Sequence, residues 1–274
     1  MIVENLMSSI ERGKKGLNVG LSTGLPAFDS LTFGVQRRWM SVWAGDSGSG
    51  KTSLVLYAQI YQPFCQYLED PSIDLHFLLF SFEMSAEVLL AKLLSMHLYE
   101  KYGVVLPYGQ ILSLTSTLSD SDYELIEQSK EWMKKFEEIC EIIDKPTTAK
   151  GLYAVCKEWS RKFGTYKEST SEFGNTREEY IPNNPEQYLI VVLDHVKLLS
   201  TAPGHTSKQE IDEACDYLIS FRNKCNFTIN LVQQFNRNYK NQERRNSENF
   251  LPSLEDKHSF IKLLLLILKL FKLT

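Results

Sequence analysis

Apolar residues in this chain alternate between short unbroken runs and longer stretches with a three-to-four-residue repeat. Residues 39–44 form the first run and predict a strand, followed by a Gly-rich turn and a helix over 51–61. Residues 75–82 (LHFLLFSF), 188–193 (YLIVVL) and 227–233 (FTINLVQ) are further runs of strand length. Between them the repeat turns helical. A helix capped by Ser85 places Leu89, Leu90, Leu93, Leu94 and His97 on one face. Another opens at Ser119 in an S-x-x-D pattern and points Ile126, Met133, Phe136 and Ile139 inward. A third follows Thr147 and Thr148, with Leu152, Val155, Trp159 and Phe163 at spacings of three and four, and a fourth spans 207–223. Strands that are almost wholly apolar need cover on both faces. The alternation therefore predicts an α/β fold with a mostly parallel central sheet flanked by helices.

Two stretches break the pattern. Residues 164–187 (GTYKESTSEFGNTREEYIPNNPEQ) are polar and read as an inserted surface loop. Residues 238–250 are polar and locally basic. The chain has 274 residues, 43% of them hydrophobic, enough for one large domain, placed at 20–256. Residues 1–19 have room for a tail or part of a linker helix, and 257–274 form an atypical apolar tail. A net charge of −4 confines any nucleic-acid contact to a local patch. Five cysteines without C-x-x-C spacing argue against a zinc site or disulfide framework and fit a reducing cytosol. The start lacks an apolar signal core. The run IKLLLLILKLFKLT, interrupted by Lys262, Lys269 and Lys272, is too short to span a membrane, so none is expected as a partner.

The chemistry concentrates between the first predicted strand and helix. Gly45-Asp-Ser47-Gly48-Ser49-Gly50-Lys51-Thr52 matches G-x-x-x-x-G-K-[ST], with Ser53 following. Glycines let the backbone wrap around phosphate oxygens, and the helix N-terminus adds positive potential. Lys51 would reach the β- and γ-phosphates of ATP, and Thr52 would hold Mg²⁺. A second Mg²⁺-supporting carboxylate is needed at another strand end, and Asp194 closes the run 189–193. Glu83, at the end of FLLFSF, is the candidate base; alone it reads equally as a helix-start glutamate. Gln233 and Gln234 leave the last strand and are either γ-phosphate sensors or a polar strand exit. His195, with no partner visible in the sequence, reads as structural.

Several of these segments together resemble the ATPase domain of DnaB-type replicative helicases, a RecA-like P-loop NTPase. Thr23-Gly24, Asp29 and Gly34 before the P-loop are similar to the start of that domain, and Leu118-Ser119-Asp120 to a segment between its motifs. FSFEMS (80–85) resembles the motif carrying the catalytic base, which assigns that role to Glu83. IVVLDHVKLL (190–199) resembles the Walker B strand ending in Asp194. QQFNR (233–237) resembles the sensor, at Gln234 with Arg237 behind it. The resemblance implies ATP hydrolysis with Mg²⁺, a homo-hexameric ring on single-stranded DNA, and a primase or helicase loader as partner, in a bacterial or phage-infected cytoplasm. It places DNA-contacting loops near Lys208 and near Lys240, Arg244 and Arg245, where the residues alone read equally as solvated.

The P-loop wording GDSGSGKT is closer to recombinase (RecA, RadA) or KaiC-like ATPases, which leaves a recombination or regulatory ATPase as a second reading. PSLED (252–256) starts like the family's next motif, but the family's arginine finger maps onto no residue after it. The tail is thus expected to reflect a truncation or a frame shift near Lys257. An ATP-binding assembly or loader protein with little turnover is the third reading.

Overall fold

The computed structural model describes residues 2–170 and 176–234. Five strands form one sheet in the order β1-β7-β6-β2-β3, every pair parallel: β1 (Met40–Gly45), β2 (Leu75–Ser81), β3 (Cys140–Ile143), β6 (Tyr188–Asp194) and β7 (Phe227–Gln234). The mostly parallel sheet expected from the sequence is present. β6 shows why the strands are apolar throughout. Its Tyr188, Ile190 and Val192 pack into one core, and Leu189, Val191 and Leu193 into the other.

The first core lies under α3 (Lys51–Val55), α4 (Gln62–Glu69), α5 (Ala86–Tyr102) and α8 (Lys130–Ile139). The second lies under α9 (Ala149–Arg161) and α10 (Ser207–Cys225). The chain lays down β1, β2 and β3 in one direction and returns through β6 and β7, so right-handed crossovers put the two helix sets on opposite faces. Leu79 and Phe77 meet Phe64 and Phe136 on the first side; Phe227 stacks on Phe221, with centroids 5.2 Å apart, on the second. The remaining α-helices among the described residues are α1 (Ile2–Lys14), α2 (Pro26–Thr32), α6 (Tyr108–Ile111) and α7 (Asp120–Gln128). Arg12 of α1 pairs with Glu186, just before β6.

Several elements differ from expectation. The helix after the P-loop does not stop at 61: a π turn over Leu56–Tyr61 leads into α4. The wider turn accommodates Pro63, whose ring would otherwise meet the carbonyl four residues back. The helix expected from Ser119 is two, α7 and α8, divided at the buried Ser129, whose hydroxyl donates to the Leu125 carbonyl at 2.9 Å. β3 was not foreseen.

Residues 164–187 are not an irregular loop. They contain an antiparallel hairpin of β4 (Gly164–Thr170) and β5 (Thr176–Pro182). Tyr166 stands opposite Tyr180, with ring centroids 5.1 Å apart, and the buried Tyr180 hydroxyl donates to the Ser160 carbonyl at 3.0 Å. Lys157 of α9 reaches Glu178 at 2.6 Å. One aromatic per strand, cross-strand paired, anchors a ribbon that is otherwise polar.

The helix caps expected at Ser85 and Ser119 hold, and Thr148 caps α9 in the same way. Ser85, Ser119 and Thr148 each accept a hydrogen bond from a backbone amide three residues on. All five cysteines are free thiols. No helix among the described residues is long and apolar enough to cross a membrane.

Candidate active site

Parallel strands all end on the same edge of the sheet, and the crevice outside that edge is where such folds bind ligands. Register brings the relevant residues there. Gly45 pairs with Gln234 across β1 and β7, and Ser81 pairs with Asp194 across β2 and β6. Residues following these strand ends converge on one cavity of about 400 Å³, lined by Ser47, Gly48, Gly50, Lys51, Thr52, Ser53, Glu83, Met84, Lys92, Tyr108, His195 and Gln234.

The P-loop wall is built by backbone conformations that favour glycine. Gly48 and Gly50 have φ of 74° and 81°, and a Cβ at either would meet no neighbour, so left-handed backbone rather than crowding selects glycine there. Gly45 is selected by space instead, because a Cβ would come within 2.8 Å of the Ser49 hydroxyl. Lys51 bends back over the loop and donates to the Asp46 carbonyl at 2.5 Å, joined by Ser49 Oγ at 2.8 Å. These bonds hold the loop as a curl at the start of the helical run that begins with Lys51.

Glu83 is exposed and lines the same cavity. Its position follows from the turn after β2. The Phe82 amide donates to the Asp194 carbonyl at 2.8 Å, and Ser81 Oγ donates to the Met84 carbonyl at 2.8 Å, just before the Ser85 cap. Asp194 lies deeper. It is buried, 5% exposed, and shares a small cleft with Thr52 rather than lining the main cavity. Its Oδ1 has no hydrogen-bond partner among the described residues. Burial pushes its pKa up; the Thr52 hydroxyl pulls down, the Glu83 charge pushes further up, and Lys92 and Lys51 pull down. Thr52 and Asp194 are hard oxygen donors side by side, one with an unused lone pair, and this donor set fits Mg²⁺. Gln234 faces the cavity, while Gln233 points the other way and is buried.

Sequence reasoning missed four lining residues, Met84, Lys92, Tyr108 and His195. His195, read as structural, lines the cavity with both ring nitrogens unpartnered among the described residues, and burial lowers its pKa. Lys92, from the middle of α5, and Tyr108, from α6, also face it. The signal for Lys92 was the single cation in the apolar run LLAKLL. Lys208 is exposed on the first turn of α10 and does not line the cavity. Arg237, Lys240, Arg244, Arg245 and the 257–274 tail lie outside the described residues.

Comparison with known proteins agrees with this fold. The family described as DnaB-like helicase C terminal domain matches over residues 20–164, more than half of the chain. Among solved structures, one that is described as an ATPase domain is similar at a TM-score of 0.64 and 18% identity, covering 94% of this chain and 78% of that one. A DnaB-like replicative helicase, described with its interactions with primase, is similar at 0.62 and 17%, covering 94% of this chain and 54% of that one. At these identities both likenesses speak to the fold, and they match it as a RecA-like ATPase domain. A search of curated proteins returns no match.

Proposed function

Because the chain belongs to the DnaB-like helicase C-terminal domain family, we propose that it is an ATP-driven DNA motor that couples hydrolysis to movement along single-stranded DNA and to duplex unwinding. The observation that carries this reading is the convergence of Lys51, Thr52, Glu83, His195 and Gln234, contributed from four strand ends, on one cavity.

In this reading the amides of the P-loop from Gly48 to Thr52 cradle the phosphates, with Ser47 and Ser53 flanking them, and Lys51 leaves the Asp46 carbonyl to bind the β- and γ-phosphates. Thr52 and Asp194 would hold Mg²⁺, which when bound neutralises charge on the phosphate oxygens. Glu83 orients a water and takes its proton. The water oxygen forms a bond to the γ-phosphorus while the bond to the β–γ bridging oxygen breaks, and ADP leaves with that electron pair. Gln234 hydrogen-bonds the γ-phosphate and reports its loss along β7 to the segment beyond. Arg237, Lys240, Arg244 and Arg245 follow in that segment, and with Lys208 they are the proposed contacts to DNA phosphates. A homo-hexameric ring, a primase or loader partner and a cytoplasmic setting extend the same reading. It is supported by the family and by the primase contact described for the second structural neighbour.

The test is steady-state ATP hydrolysis with and without single-stranded DNA, comparing wild type with Glu83→Ala. DNA-stimulated turnover that falls about 100-fold or more in the variant, with ATP binding retained, is the expected result. Binding without turnover in either protein would refute the motor and leave an ATP-binding assembly protein. DNA-stimulated turnover without strand separation would favour a recombinase-like ATPase.

A further inference from the structure

Lys92 has no obvious structural reason to be where it is. It is half-buried in α5 between Leu89 and Leu93, both buried against the sheet. Every other residue of LLAKLL is apolar. Among the described residues Lys92 makes no ion pair. Its ammonium instead lies over the ring of Tyr108, 5.1 Å from the centroid. Both residues line the cavity that holds the P-loop and Glu83. The Lys92 charge is also felt by the carboxylate of Asp194.

Two lysines from different elements, Lys51 and Lys92, therefore face one cavity of about 400 Å³. Glu83 lines the same cavity, but neither lysine forms an ion pair with it among the described residues, which leaves both ammonium groups for an anionic ligand. The P-loop already supplies the cation and amides suited to the β- and γ-phosphates. Lys92 comes from α5, the helix that directly follows Glu83 and its turn.

We infer that Lys92 is a second phosphate-binding cation, one that contacts the terminal phosphate of a nucleoside triphosphate from the Glu83 side, with Tyr108 holding its ammonium in place. The inference rests on the ATP reading above. A diphosphate lacks the group that Lys92 contacts, so this residue lets the site distinguish ATP from ADP. It also places positive charge, already oriented, beside the γ-phosphoryl oxygens over which charge spreads in the transition state. Tyr108 acts as a positioning residue through the face of its ring.

Binding of a fluorescent non-hydrolysable ATP analogue and of fluorescent ADP to the full chain tests this. Lys92→Met should weaken the triphosphate analogue about tenfold or more, the size expected for a lost charge-assisted contact, and leave ADP binding within about twofold. Lys92→Arg should restore most of the triphosphate affinity, and Tyr108→Leu should lose part of it with ADP again unaffected. Equal weakening of both nucleotides, with a lowered melting temperature, would make Lys92 a packing residue and overturn the inference. So would unchanged binding of both. Lys51→Ala is the control for the underlying reading: it should abolish binding of the triphosphate. If Lys51→Ala binds normally, or the wild type binds no nucleotide, the ATP site and the role of Lys92 fall together. If Lys51→Ala fails to bind but Lys92→Met behaves as wild type, only the role of Lys92 falls.

Discussion

Glu210 offers a sharp test of how the cavity-bearing edge of the sheet is supported. It sits in the first turn of α10 and is only 1% exposed, yet it carries a carboxylate. Oε2 accepts the Ala149 amide, at the start of α9, at 2.8 Å. Oε1 accepts the Ala202 amide at 2.9 Å and has His205 Nδ1 at 3.0 Å. One side chain thus joins α9, α10 and the loop that follows the Asp194 strand. The Ala149 amide above all, then the Ala202 amide and His205, outweigh burial and hold the carboxyl below its ordinary pKa. Glu210→Gln keeps the shape but turns an NH₂ toward one of these donors, leaving a buried N–H unmatched. That costs about 2 kcal/mol at pH 7, and Glu210→Ala, which strands both amides, costs about 4 kcal/mol. For a domain of this size the Gln variant should melt roughly 4–8 °C lower. The pH dependence has a definite sign. A depressed carboxylate contributes its full stabilisation above the unfolded value of about 4.3 and loses it as pH falls through the folded value. Urea unfolding followed by circular dichroism should therefore show a gap between wild type and Glu210→Gln that holds from about pH 7 to 5 and closes below about 4. A Gln variant with the wild-type midpoint at pH 7, or a gap that widens in acid, would refute this account.

Two further substitutions probe other buried polar groups. His97 is buried and stacked on Trp132 with centroids 4.3 Å apart, and burial pulls its pKa from 6.5 to about 4. The unfolded chain takes up this proton at higher pH than the folded one does, so wild-type stability falls between those two values. His97→Phe should remove up to about 3 kcal/mol of that loss, and parallel pH profiles of melting temperature for the two proteins would contradict it. Asp194→Asn removes a buried carboxylate whose ionised form burial disfavours. Stability at pH 7 should rise by about 1 kcal/mol while ATP hydrolysis falls and needs more Mg²⁺. A destabilised variant with unchanged Mg²⁺ dependence would show that Asp194 serves the fold.

What the sequence displayed follows from how local each feature is. The P-loop was legible because its turn, glycines and helix start are contiguous. Asp194 and Gln234 were legible because an apolar strand ending in a polar residue marks the sheet edge. Glu83 could be located but not distinguished from a helix-start glutamate by residues alone. β3 was lost because CEII follows α8 without a break and is too short to stand out from its inward residues. The hairpin was hidden by composition, since among its described residues the large side chains that pack against the core are a tyrosine pair fourteen residues apart. His195, Lys92 and Tyr108 belong to the cavity through tertiary placement alone, and no spacing rule joins them.

The order of the sheet also bears on how the domain is made. β1, which leads into the P-loop, lies at the sheet edge among the described residues, and its hydrogen-bonded neighbour is β7, the last of the seven described strands. A ribosome releases the phosphate loop early, but the strand that fixes it to the rest of the sheet emerges nearly two hundred residues later. At synthesis rates of about 5–20 residues per second, that interval is on the order of ten seconds or more. Through it, β2, β3 and then β6 can pair with one another while β1 waits with both of its edges open. The P-loop therefore gains its fixed place in the sheet only on completing this pairing, and an unpaired, largely apolar strand is the segment most in need of a chaperone until then.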